Sequence, residues 1–267
     1  MHYMKNKILF LYILFSSTLL QAQFKPGDIG YKSNETKIYK TQKVKTQKQT
    51  VVDAEGYSSD LQVNYYDQNG MLTKIAYDQD TTMPAEERGP EMKDEYTYFP
   101  DGRVKQIILY GYDLVDITHN FEYDKKGRLT ESKYASAEAR VYRYTYDKAG
   151  NIIKRIGKAA FFETDDEGNA TGDMVMVDYD SSSYTWDDKS NLLSEVFYMG
   201  GELYYQINYT YNDNNTLNGY KVYYDITPDA QASFTVVFKY DKNGLPEQMI
   251  TEEEGFRLTN YFSYTFY

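Results

Sequence analysis

The chain has 267 residues, with 40 acidic and 29 basic side chains, a formal charge of −11 and no cysteine. That length holds one large domain or two small ones. The missing cysteine excludes a disulfide framework, thiol chemistry and a lipid anchor on a mature N-terminal Cys, and the acidity works against nucleic acid and anionic membrane surfaces as partners.

The first predicted element spans residues 1–22. Lys5 and Lys7 precede an apolar run from Ile8 to Phe15, with small and polar residues up to Ala22. This is the pattern of a secretory signal peptide, and the run is shorter than the ~20 residues a spanning helix needs. Losing those two lysines takes the charge from −11 to −13. The protein is therefore expected to be exported to the periplasm, the cell surface or the medium. Residues 23–58 read as an N-terminal extension with the first strands. Within them Lys32–Lys48 is basic, and reads as a linker or a lysine-protected edge strand. No helix longer than a turn or two is expected after the leader.

Residues 59–267 repeat. Seven stretches align: YDQNGML from Tyr66, YFPDGRV from Tyr98, YDKKGRL from Tyr123, YDKAGNI from Tyr146, WDDKSNL from Trp186, YNDNNTL from Tyr211 and YDKNGLP from Tyr240. Asp67, Asp124, Asp147, Asp187 and Asp241 can accept hydrogen bonds from turn amides. Three residues later Gly70, Gly127, Gly150 and Gly244 suit a left-handed position, as does Asn215; Ser190 is a poorer substitute. Two residues beyond comes an apolar residue, such as Leu72 or Leu129, that starts a return strand; Pro246 in the last unit suggests an edge or a bulge. The approach strands carry aromatic residues at every second position, the strand period. With 31 Tyr and 13 Phe against a mean hydropathy of −0.70, the expected fold is all-β. It is an antiparallel meander of tandem hairpins, open or partly curled, of about 14–18 strands. Asp78–Glu95 and Glu163–Asp173 read as loop inserts.

The stretch from Gly127 to Arg155, GRLTESKYASAEARVYRYTYDKAGNIIKR, resembles tandem YD repeats of the RHS family. The resemblance is strongest from Tyr96 to Arg155 and weaker across Leu61–Leu245. It implies an exported or surface bacterial protein built of β-hairpins, and carbohydrate binding. Seven units are too few for the closed shell of the large family members.

Little in the sequence points to catalysis. His119, with Asp116 and Thr118 nearby, could serve a triad, but no nucleophile elbow accompanies it and the ordinary reading is a hairpin histidine. Glu252–Glu254 read as a solvated loop. Asp165, Asp166 and Asp173, with Glu167 and Asn169, offer hard oxygens for calcium without the spacing of an EF-hand. The aromatic faces are the other candidates. Tyr142, Tyr144, Tyr146, Tyr184, Trp186, Tyr209 and Tyr211 either form a ligand platform for sugars or pack as a cross-strand core. The expected protein is a non-enzymatic envelope or extracellular module with no cofactor, binding a glycan or a protein. The alternatives are an outer-membrane β-barrel, suggested by the aromatic C-terminus NYFSYTFY, and a carboxylate enzyme acting on polysaccharide.

Overall fold

The computed structural model of the protein describes residues 34–78, 91–111, 116–135, 139–164, 170–213, 215–224, 227 and 230–267. A helix, α1 (Asn34–Gln42), leads into β1 (Val44–Val52), β2 (Ser58–Tyr66), β3 (Leu72–Tyr77), β4 (Lys93–Tyr98), β5 (Val104–Tyr110), β6 (Ile117–Tyr123), β7 (Leu129–Ala135) and β8 (Arg140–Tyr146). The second half comprises β9 (Ile152–Thr164), β10 (Ala170–Trp186), β11 (Leu192–Met199), β12 (Glu202–Tyr211), β13 (Leu217–Tyr223), β14 (Phe234–Tyr240), β15 (Pro246–Glu253) and β16 (Phe256–Phe266). The signal-peptide residues lie outside the described residues.

Each strand pairs antiparallel with its sequence neighbours, as the repeat predicts, but β16 returns to pair with β1 and the sheet is a closed barrel of sixteen strands. Closure overturns the open or partly curled sheet. Its source is the basic segment, which carries no YD motif yet supplies the closing strand: Val44 lies opposite Phe266 and Val52 opposite Thr259. Lys48 points outward and meets Asp60 at 2.5 Å, so it guards no free edge. Closure also leaves no unpaired row of backbone groups along the seam.

The same segment supplies α1, which at 9 residues exceeds the expected turn or two. Lys43 ends it in the left-handed region, with φ 54°. The helix docks by one face: Tyr39 is buried, its ring 4.7 Å from that of Tyr66.

The turns behave as their residues require. Gly70, Gly102, Gly127, Gly150, Ser190, Asn215 and Gly244 all have positive φ. The Asp124 Oδ1 accepts the amides of Lys126 and Arg128 at 2.8 and 2.9 Å, and Asp147, Asp187 and Asp241 repeat the arrangement. These backbone bonds are the main reason that the Asp124, Asp147 and Asp187 carboxyls sit below the usual range. A bulge follows each turn, Pro246 included. In the first unit Tyr66 pairs with Leu72 while Tyr65 pairs with Lys74. The extra residue rotates the return strand, so that the second and fifth residues after the glycine position both face inward.

The aromatic residue that opens each motif has a specific task. The Tyr123 hydroxyl donates to the Val104 carbonyl at 2.8 Å, Tyr146 to Leu129 at 2.7 Å and Tyr240 to Leu217 at 2.8 Å. Trp186 donates its indole N–H to Ile152 at 2.7 Å, which explains why Trp replaces Tyr here. These four rings thus tie their hairpins to the first residue of the preceding return strand, whereas the Tyr66 hydroxyl donates to Gln47 Oε1 at 3.2 Å. Phe would keep the ring and lose the donor. Tyr123→Phe is expected to cost about 1–2 kcal/mol by denaturant titration, because the Val104 carbonyl loses its partner; an unchanged midpoint would remove the hydroxyl from this role.

Inward residues stack in layers along the barrel. The register pairs Asn64 with Ile75, Tyr96 with Ile107, Phe121 with Ser132, Tyr144 with Arg155, Tyr184 with Glu195, Tyr209 with Tyr220 and Phe238 with Met249. Rings and aliphatics from β1–β7 form one buried cluster and those from β11–β15 another. The outward face is mixed, with exposed Tyr65, Ile153, Leu193, Val237 and Tyr261 among polar residues. It presents Thr118, Asn120 and Glu122 on β6, Glu131 and Lys133 on β7, and Arg257, Thr259, Ser263 and Thr265 on β16.

The two expected inserts are shortened by strand. β4 takes the end of the first. The second is a hairpin: β9 and β10, of 13 and 17 residues, outreach their neighbours. β8 pairs with β9 only as far as Ala159, and β11 with β10 only as far as Asp180.

Candidate functional site

Among the buried polar residues, which include Asp94, bonded by the Tyr77 hydroxyl at 2.8 Å, and Thr251, two groups gather several side chains and differ in how well they are partnered. At the closing seam, Gln47 accepts from Asn64 at 2.9 Å and donates to Tyr264 at 2.9 Å and Tyr39 at 3.2 Å. Gln49 donates to Asn260 at 3.1 Å. This amide ladder specifies the β1–β16 register and is structural.

The second group lies on the β6–β11 wall and is charged. Arg155 of β9 points inward opposite Tyr144, with its guanidinium 5.0 Å above the ring of Tyr142. Asp180 of β10 lies 3.5 Å from it. Glu195 of β11 is 0% exposed and accepts from the Ser182 hydroxyl at 3.1 Å through Oε1. His119 of β6 is stacked on Tyr134 at 3.8 Å and packs against Phe121 at 4.1 Å. Four buried atoms here have no hydrogen-bond partner: Arg155 Nε, Asp180 Oδ1, Glu195 Oε2 and His119 Nε2. Native interiors rarely leave such atoms unpaired, since each costs about 1–3 kcal/mol.

Local sequence makes this arrangement possible. Gly157, opposite Tyr142, has no side chain, and a Cβ there would come within 2.5 Å of Asp180 Oδ1 and 2.7 Å of the Tyr142 ring. The bulge between Asp178 and Asp180 turns Asp180 inward. Burial raises the carboxyls of Glu195 and Asp180 above their ordinary range, against the pull of Arg155. Burial also pushes the His119 imidazole down to about 3, so it is neutral in the folded protein.

The aromatic candidates are placed together but face inward. Tyr184 is buried, and Tyr142, Tyr144, Tyr146, Trp186, Tyr209 and Tyr211 are half-buried on the lumenal side. Tyr146 and Trp186 are committed to backbone carbonyls, and Tyr144 contacts the Ser132 hydroxyl at 3.0 Å. No outward platform forms from them. Tyr142, Tyr144, Tyr184 and Tyr209 instead wall the charged group. Asp165 and Asp166 lie outside the described residues, as does the side chain of Asp173. Among the described residues no three acids, histidines or cysteines converge as a metal site.

Sequence reasoning set His119 aside and did not single out Arg155, Asp180 or Glu195. A signal existed in the repeat itself. The fifth residue after the glycine position is Ile75, Ile107, Ser132, Arg155, Glu195, Tyr220 and Met249 in turn. Polar and charged residues replace apolar ones in the third, fourth and fifth units only.

Comparison with known proteins agrees with this architecture. No curated protein matches the chain. A porin-like protein from Bacteroides uniformis is similar to it with a TM-score of 0.53 at 10% identity, covering 83% of this chain and 98% of that one. A porin-like protein from Bacteroides vulgatus gives a TM-score of 0.41 at 15% identity, over 81% and 97% of the two chains. The RHS Repeat model matches residues 123–159. The chain is thus RHS-repeat-like over the third and fourth units, within a closed all-β barrel.

Proposed function

We propose that the protein is an exported, non-enzymatic binding barrel that stands in water and takes its ligand in the lumen. The observation that carries this reading is the sidedness of the wall. Membrane barrels are apolar outside and polar within. This barrel has Lys93–Glu95 at 2.7 Å, Lys133–Glu122 at 2.8 Å and Arg143–Glu131 at 2.9 Å on its outside, with Tyr65, Val237 and Tyr261 exposed among them, while its buried rings and aliphatics lie inside. Four of its buried unpaired polar atoms lie on this one wall, where a ligand would satisfy them, while Gln49 Oε1 at the seam and Thr251 Oγ1 on β15 lie elsewhere. The repeated Asp and Gly are absorbed by turn chemistry, and neither needs a catalytic role. A lumenal site favours a small molecule or the end of a glycan over a folded protein.

Trp186, the single tryptophan, lies in the lumenal layer beside this wall and can report occupancy. A panel of glycans and small molecules read by Trp186 fluorescence should yield a saturable change. An empty panel together with a measurable polysaccharide hydrolase activity would contradict the proposal.

The outer-membrane reading has its own support in the even strand number, the closure and the fold similarity to porin-like proteins. The outward ion pairs oppose it, as does the length of β3 and β4, 6 residues each, where a spanning strand needs about 9–11.

A further inference from the structure

Glu195 is the least satisfied member of the lumenal group. Its neighbours account for every part of it except one oxygen. Ser182 serves Oε1, and Oε2 has no partner. Arg155 lies 3.5 Å from Asp180, which Arg140 also attracts, and Arg155 pulls on Glu195 from beyond ion-pairing distance. No cation of the described residues comes within ion-pairing distance of Glu195. A carboxylate removed from water needs a paired charge or loses its own.

The walls around it are aromatic. Tyr184 is its register partner, Tyr205 stacks on Phe197 with ring centroids 4.9 Å apart, and Tyr209 follows on β12. Electron-rich ring faces around an unpaired carboxylate are the usual surroundings of an organic cation, which gains from the charge and from the rings together. The wall is open to the lumen at its edge, where the Arg155 side chain keeps 19% of its surface accessible and Tyr142, Tyr144 and Tyr209 are half-buried, whereas Glu195, Tyr184 and Tyr205 are themselves buried.

We propose that this wall is the seat of an organic cation, an amine or guanidine, whose charge pairs with the free Oε2 of Glu195 between the rings of Tyr184, Tyr205 and Tyr209. The inference rests on the lumenal-binding reading and narrows it to a ligand class. The competing occupant of Oε2 is a proton. A neutral sugar would answer the unpaired donors and acceptors, but not the carboxylate.

The test uses the mature full chain at pH 8, with n-butylammonium, its uncharged counterpart n-butanol and methyl glucoside as probes, followed by calorimetry and Trp186 fluorescence. The expected result is saturable binding of the ammonium, at least tenfold tighter than of the alcohol and at least tenfold weaker in Glu195→Gln. Glu195→Gln removes a buried charge and is expected to fold; should it not, Tyr209→Leu, which removes a ring of the cage, serves as the second variant with the same expected loss. Equal binding of ammonium and alcohol, or binding of methyl glucoside alone, overturns the cation and leaves the lumenal reading standing. Ammonium binding unchanged by the variant that folds also overturns it. Failure of all three probes overturns the cation and removes the lumenal reading's support for this wall.

Discussion

Arg155→Met is expected to lower the thermal unfolding midpoint at pH 8 by roughly 6–20 °C. The substitution keeps an unbranched apolar stem and removes the guanidinium beside Asp180, at 3.5 Å, and near the fully buried Glu195. Removing one partner of a buried charged group costs about 3–5 kcal/mol, and a domain of this size loses about 2–4 °C per kcal/mol. The sign of its pH dependence follows from the carboxyls. Burial raises both Glu195 and Asp180 in the folded state, so their contribution to stability is full below the unfolded carboxyl range and is lost as pH rises through the raised folded values. The deficit of Arg155→Met should therefore shrink on acidification from pH 8 towards pH 5. Adding Glu195→Gln should recover part of it at pH 8. A variant as stable as the parent at pH 8 would show that Arg155 holds no buried charge in place.

His119→Phe is expected to flatten the acid limb of the stability curve. The imidazole is stacked between Tyr134 and Phe121 with Nε2 unpaired, and burial holds it at about 3 instead of 6.5. Its folded value is depressed, so the stability it permits is present above the unfolded value and is lost as pH falls through the window from 6.5 to about 3. The slope of that loss approaches about 1.4 kcal/mol per pH unit. Phe fills the same stack and cannot be protonated. Denaturant titrations at pH 7 and pH 5 should show a smaller loss for the variant than for the parent by about 1–2 kcal/mol. Equal losses would place His119 in contact with water.

Much of this fold was legible because the repeat is local chemistry. Asp124 and Gly127 announce their turn, Leu129 starts the return strand, and Tyr142, Tyr144 and Tyr146 announce a strand face. Closure was not legible, because it depends on pairing the unmotifed β1 with β16, with Thr46 meeting Thr265 across a separation of 219 residues. Its lysines suggested an exposed edge, whereas alternation puts Lys48 on the outside and Gln47 and Gln49 within. The helix α1 was missed because nine residues with so few apolar positions carry no clear helical stripe; docking of Tyr39 against Tyr66 stabilises it instead. The charged wall was visible only once the bulge after each turn fixed which residues face inward. A plain period of two after Ile152 would have placed Lys154 in the lumen and Arg155 outside.

The orientation of the wall joins these observations. On the proposed reading the barrel stands in water, with ion pairs, threonines and scattered apolar side chains outside, and an inside of tied rings leaves one charged place for a ligand. The mature chain, purified without detergent and offered to neutral and anionic lipid vesicles, tests this most directly. The account predicts a monodisperse protein of monomer mass or a small oligomer that remains in the supernatant when the vesicles are pelleted. Aggregation without detergent, with insertion into the vesicles as a heat-modifiable barrel, would contradict it.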